Sequence, residues 1–157
     1  MELDYTKNEE PHFSHLSSSG EARMVKVSEK PEQKRTAIAE GFIALSQRTL
    51  ELLKAKAIPK GDVLTVSKIA SIMAAKKTAE FIPLAHPIGL TFADTTFEIE
   101  DKGIKVVATA ESVSKTGVEL EALVMVSIAL LTLYDMCKAV DKSMIIGPIK
   151  LVEKKKE

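Results

Sequence analysis

The chain has no tryptophan and only one cysteine, Cys137. A single thiol cannot close an internal disulfide, so a reducing cytosol is the simplest setting. Aromatic residues make up 4% of the 157 residues, so the core must be built from Ala, Val, Ile and Leu. Neither sign of charge is in excess: 22 Lys and Arg balance 22 Asp and Glu. That balance gives no overall field to attract nucleic acid or an anionic membrane. The longest apolar run, Ala122 to Tyr134, is interrupted by Ser127 and Thr132. It is shorter than the roughly 20 residues that span a bilayer. No basic-plus-apolar leader opens the chain, so secretion is not expected. CxxC, HExxH, GxSxG and GxxxxGK[ST] are all missing, which leaves zinc, α/β-hydrolase and Walker A readings unsupported. No internal repeat is present.

What is there is enough apolar residue, 45%, to bury the core of one domain. Residues 1–20 are polar and read as a flexible N-terminal arm, with 21–157 as a single α+β domain. His12 and His15 in "HFSH" are three apart, but the arm lacks a convincing helical pattern and no metal site is assigned. "ARMVKVS" alternates and predicts a short strand over Ala22–Ser28. From Ser28 or Lys30, with Pro31 in the first turn, Ala37, Phe42, Leu45, Leu50 and Leu53 predict a long helix reaching "KAK". Asp62 is placed to cap a second helix running to about Glu80. Pro83 and Pro87 exclude helix from "IPLAHPIG". Leu90–Glu100 and Ile104–Ser112 predict a hairpin around "EDKG". Val118–Val140 predicts a long helix, and "SMIIGPIKLVE" a last strand with a bulge or an edge at Gly147-Pro148. The lysines of "KKKE" read as solvated charge. Strand, two helices, hairpin, helix and strand together predict a ferredoxin-like α+β sandwich: a four-stranded antiparallel sheet carrying three helices. The long helix is apolar nearly all round, which predicts that a second copy covers it.

Polar residues with chemical capacity gather in a few places, each with two readings. Glu119 and Glu121, near Lys115, either cap the long helix or serve a site. His86 is either a structural histidine or an imidazole held in a stiff loop for function. Asp135 and Lys138 share a helix face at i, i+3 and form either an ordinary ion pair or a functional one. A carboxylate near a helix C-terminus faces the negative end of the dipole, so Asp135 is locally unfavourable. Lys60 in "KGD" is either a solvated turn lysine or a ligand for phosphate beside the next helix start.

"LAHPIGLT", "KTGVELEAL" and "LYDMCKAVDKSMIIGPIKL", with "GEARMVKVSEK" and "KGDVLTVSKIASIMAAKKTAEFIPLAHP", resemble the signature stretches of the cyclic pyranopterin monophosphate synthases, the molybdenum-cofactor biosynthesis protein C family. The resemblance runs in order from about Gly20 to Leu151. It implies conversion of a 3′,8-cyclised dihydro-GTP to cyclic pyranopterin monophosphate with loss of diphosphate. The family's catalytic residues fall on Asp135, Lys138 and Lys60. Its substrate-binding positions fall on Leu84, Ala85, His86, Leu120 and Glu121, with Glu119 adjacent and Lys115 and Arg35 near phosphates. The family usually has cysteine before its "HP"; here Ala85 stands there, so a thiol at that position cannot serve this chain. The resemblance also implies that the homo-oligomer is a hexamer built as a trimer of dimers; the lone cysteine and the charge balance point to the cytoplasm, with no nucleic acid or membrane partner.

The implied chemistry suits these residue types. Rebuilding a purine-derived ring as a pterin needs several proton transfers, and lysines with lowered pKa can serve as acid and base near neutral pH. Closing the cyclic phosphate needs a sugar hydroxyl to attack the α-phosphorus, with Lys and Arg stabilising the departing diphosphate. No cofactor is called for; Mg²⁺ on the triphosphate is compatible, but no carboxylate cage for it is evident. Two rivals remain: another nucleotide lyase or hydrolase on the same scaffold, and a non-catalytic oligomer that senses a nucleotide. The acid/base set Asp135, Lys138, His86 and Glu121 is more titratable chemistry than a sensor needs.

Overall fold

The computed structural model describes residues 15–157; His12 and most of the N-terminal arm lie outside them. Eight elements follow in the order β1 (Gln33–Ala44), α1 (Gln47–Lys54), α2 (Val63–Ala75), α3 (Thr78–Phe81), β2 (Leu90–Glu100), β3 (Gly103–Ser114), α4 (Glu119–Cys137) and β4 (Ile145–Lys156). The four strands form one sheet in the order β2-β3-β1-β4, with every pairing antiparallel. This is the expected ferredoxin-like α+β arrangement, with four helices in place of three.

The largest departure is β1. A helix is expected over this segment and a strand is found. Its buried residues are Ala37, Ala39, Gly41 and Ile43, a period of two that alanine, a good helix former, conceals in the sequence. Pairing decides the outcome, because β1 lies between β3 and β4 and exchanges backbone bonds with both. Gly41 lets α4 approach. A Cβ there would come within 2.7 Å of a Val126 methyl and 2.8 Å of a Leu130 methyl. The second half of the expected helix survives as α1, capped by Ser46, whose hydroxyl accepts from the Thr49 N–H.

The strand expected at Ala22–Ser28 is also absent. Residues 23–27 form an irregular strap with no sheet partner among the described residues, after a turn closed by a bridge between Leu16 and Ala22. The second helix splits into α2 and α3 after Ala75, and Asp62 caps it as expected, accepting from the Thr65 N–H at 3.1 Å. The lysine-rich tail is not free: Lys154, Lys155 and Lys156 belong to β4 and pair with Ala37, Thr36 and Arg35. The bulge at Gly147-Pro148 lies on this edge strand, where these two residues stand opposite the single Phe42, one extra residue in β4.

One face of the sheet carries α2 and α4. Ala122, Met125, Val126, Ala129, Leu130 and Leu133 of α4 are buried with Ile43, Ile104, Val106 and Ala108 of the sheet. By length and apolarity α4 would suffice to cross a membrane, but half of it is buried inside the fold, where it serves as the core helix. Its outer side is not covered: Leu131 is 55% exposed and Tyr134 40%. On the neighbouring α2, Val66, Ile69 and Met73 form an exposed stripe at i, i+3 and i+7.

Candidate active site

Polar groups collect at the two ends of α4. At its C-terminal end Asp135 sits between two lysines. Lys138, one turn on, reaches Asp135 Oδ1 at 2.7 Å. Lys60 reaches Asp135 Oδ2 at 2.8 Å and donates to the Asp135 carbonyl at 2.8 Å. Lys60 owes its position to a tight turn between α1 and α2, where Gly61 takes φ +98°. Asp62 already satisfies the start of α2, so Lys60 turns to Asp135 and away from that helix N-terminus. The dipole penalty on Asp135 is answered by two cations, one of which also satisfies an end-of-helix carbonyl.

These contacts set the charges. Hydrogen bonds from Lys138 and then Lys60 hold the Asp135 carboxyl down at about 2. The bond that Lys138 donates to Asp135 raises Lys138 above the ordinary lysine value. The lowering expected for a catalytic lysine is therefore not found for Lys138: its surroundings in one chain are open and anionic, not apolar and cationic. At neutral pH Asp135 is therefore ionised and Lys138 protonated. Cys137 lies beside it but is fully buried, and burial, aided by Asp141, pushes its thiol up to about 11. It is a packing residue and a poor nucleophile.

At the N-terminal end of α4, neither glutamate caps the helix. Glu119 pairs with Lys154 of β4. Its carboxylate folds over Gly117, where any Cβ would collide with it. Glu121 is 3% exposed, and its Oε2 has no partner among the described residues. Burial raises its pKa, with a smaller contribution from Glu119. It faces a small cleft of about 130 Å³ that includes Lys76, Lys77, Pro87 and Ile88.

Two larger clefts adjoin at Lys115 and Thr116. One, of about 430 Å³, gathers Lys30, Arg35, Lys115, Lys154 and Lys156 around Glu119. Arg35 donates to the Gln33 side chain at 3.1 Å, while its buried Nε is unpartnered among the described residues. The other, of about 370 Å³, is bounded by Val27, Glu32, His86 and Pro87. The strap crosses here: the His86 Nε2–H donates to the Val25 carbonyl at 2.8 Å and Lys115 donates to the Ser28 carbonyl at 2.6 Å. Leu84 and Ala85 are half-buried in the same loop as His86, and Leu120 is 40% exposed on α4.

Of the residues expected at a site, Asp135, Lys138 and Lys60 come together at one end of α4. Arg35, His86, Lys115, Glu119 and Glu121 gather at the other. Fourteen residues of continuous helix separate Glu121 from Asp135, or about 21 Å at the rise of an α-helix. Sequence reasoning overlooked Lys30, Lys154 and Lys156. The two tail lysines become visible only through the β1–β4 register, which sets Lys156 opposite Arg35.

Comparisons with known proteins show the family of the chain as a whole. Residues 24–157 match the family model described as the MoaC family. A cyclic pyranopterin monophosphate synthase of Clostridium perfringens (strain SM101 / Type A) is 52% identical over 144 residues, covering 90% of this chain and 91% of that one. One from Novosphingobium aromaticivorans is 51% identical over 143 residues, covering 91% of each. A molybdenum cofactor biosynthesis bifunctional protein of Chlorobaculum tepidum is 50% identical over 142 residues, which span 90% of this chain and 46% of that longer protein. With the match spanning the whole sheet and both ends of α4, the chain belongs to the MoaC family.

Proposed function

We propose that the chain is a cyclic pyranopterin monophosphate synthase, converting 3′,8-cyclised dihydro-GTP to cyclic pyranopterin monophosphate and diphosphate in molybdenum cofactor biosynthesis. The observation that carries the residue assignment is the Lys60–Asp135–Lys138 cluster. Two lysines converge on one carboxylate at the end of a core helix, from segments 75 residues apart in sequence. Lys138 is protonated at neutral pH, but its raised pKa makes it a weak acid while Asp135 holds it, so donation to the ring being opened requires the bound substrate to loosen that tie. Asp135 holds both lysines and orients them.

Glu121 differs from Asp135 in the way that separates a base from a structural anion. Burial raises the pKa of one carboxylate and lysines lower that of the other. Glu121 is the group suited to accept a proton. For ring closure, the sugar hydroxyl forms the new bond to the α-phosphorus as its proton passes to a base. The α–β phosphoanhydride bond breaks and its electron pair leaves with diphosphate. The cleft of Arg35, Lys115, Lys30, Lys154 and Lys156 suits that polyanion. His86, with Leu84, Ala85 and Leu120, suits the walls of a substrate pocket. No protein cofactor enters these steps, and Mg²⁺ can accompany the triphosphate.

Glu121 and Asp135 are too far apart on one helix to meet at one bicyclic substrate. Both can serve one site if two α4 helices pack antiparallel about a two-fold axis. The uncovered Leu131 and Tyr134, beside the α2 stripe of Val66, Ile69 and Met73, favour such packing. A homodimer with two composite sites, repeated in a hexamer, follows from this reading, and its single buried thiol suits the cytoplasm. The direct test supplies the cyclised dihydro-GTP and measures diphosphate and cyclic pyranopterin monophosphate together. Release of both in equal amounts is expected; tight binding without either product would favour a nucleotide sensor.

A further inference from the structure

Asp141 is absent from the chemistry above, yet it is one of the few buried charged groups, 4% exposed. Four donors converge on it. Oδ2 accepts from the Ser46 N–H at 2.8 Å and the Thr49 hydroxyl at 3.0 Å. Oδ1 accepts from the Ser143 N–H at 2.9 Å and its hydroxyl at 2.7 Å. Only an acceptor-only group can take all four. Burial works against the charge, but these bonds outweigh it and hold the carboxyl well below its ordinary value.

Its place in the fold gives those bonds a second consequence. Val140 N–H and Asp141 N–H both donate to the Cys137 carbonyl, so residues 137–141 form a closed turn containing Lys138. Ser46 caps α1, and α1 leads through a turn at Lys56 to Lys60. Lys60 then returns to Asp135 on α4. The contacts make a ring: the exit of α4, Asp141, the start of α1, the Lys60 turn, Asp135, and α4 again. Asp141 is the buried link of that ring and Lys60–Asp135 the exposed one.

We propose that Asp141 is a positioning residue for the catalytic cluster, locking the start of α1 to the exit of α4 so that Lys60 and Lys138 meet on Asp135. The proposal rests on the reading of that cluster as catalytic. Asp141→Asn turns an amide NH₂ towards two donors and breaks half of the link without changing its size. An ångström-scale displacement of a catalytic group costs on the order of 100-fold in rate. A loss of roughly 10- to 100-fold in kcat is therefore expected, with KM nearly constant because the basic cleft lies at the other end of α4.

The pH profile separates positioning from simple loss of stability. The groups facing Lys138 are Asp135, Tyr134 and, through Asp135, Lys60. Loosening Asp135 lowers the Lys138 pKa, so the basic limb of kcat moves to lower pH. The control is Gly41→Ala, which strains packing at the middle of α4; it should lower the melting temperature and leave that limb in place. A crystal structure of Asp141→Asn supplies a reading independent of turnover: the Lys60–Asp135 contact should be broken or displaced. If Asp141→Asn does not fold, Thr49→Val removes one donor and should show the same split, at about 3-fold. A folded variant with wild-type kcat, an unmoved limb and an intact Lys60–Asp135 contact overturns the proposal. Full activity of Lys138→Ala or Asp135→Asn would instead overturn the catalytic reading beneath it.

Discussion

Lys138 and Glu121 show how the same helix gives opposite surroundings to two titratable groups. Lys138 is solvent-facing and tied to an anion; Glu121 is buried with an unpartnered oxygen. Lys138→Ala removes the proton donor and little core volume, so kcat should fall at least about 100-fold with the melting temperature nearly unchanged. Near-wild-type turnover of the folded variant would remove Lys138 from the mechanism. Glu121→Gln should trade activity for stability. A carboxyl whose folded pKa is raised costs the fold nothing while protonated, below its unfolded pKa. Above the folded value it imposes the penalty of a buried charge. Glutamine carries no such penalty, so the variant's gain in melting temperature should grow as pH rises from the ordinary carboxylate range through the raised folded pKa and then level off. Asp135 and Asp141, both lowered, are common to the two proteins and cancel in the difference. A gain that does not vary with pH would show that Glu121 is not held near its titration by burial. Both positions were legible as polar residues on a predicted helix; the burial that raises Glu121 was not, because it depends on segments distant in sequence such as the loop at Pro87.

Among the elements, β1 and α4 carry the fold's central contact. Gly41 of β1 lies beneath Val126 and Leu130. Its φ is not in the left-handed region, so glycine is needed for space and not for backbone freedom. Alanine would gain roughly 0.5–1 kcal/mol from backbone entropy, but overpacking a core costs about 1–3 kcal/mol. Gly41→Ala should therefore be net destabilising by chemical denaturation, and an unchanged or raised midpoint would show that α4 can shift outward. The hairpin of β2 and β3 and the helix α4 were read correctly because each declares its period without help. β1 was misread because Ala37 and Ala39 suit either period and Gly41 suits neither. Only the ladders to β3 and β4 select a strand there.

At the scale of the whole molecule, the two clusters at the ends of α4 lie about 21 Å apart in one chain. A shared site predicts complementation. Glu121→Ala and Asp135→Ala proteins, each inactive, are mixed after reversible dissociation. A hybrid dimer should recover activity approaching that of one intact site of the two. Confirmed hybrids without activity would mean that each site is built within one chain. The same packing should cover Leu131, Tyr134 and the α2 stripe, whose combined apolar surface is more continuous than single scattered residues on a monomer.

The sequence by itself determined the element classes after Ile58, the α+β order, the lack of an internal disulfide and the family resemblance. These are local properties: hydrophobic period, proline and glycine placement, and motif spacing act over a few residues. The tertiary structure alone decided that residues 33–44 form a central strand, that Lys60 crosses to Asp135, that the tail lysines join Arg35, and that Asp141 is buried among four donors. Each of those depends on groups tens of residues apart, and only backbone pairing and packing bring them within hydrogen-bonding or charge range.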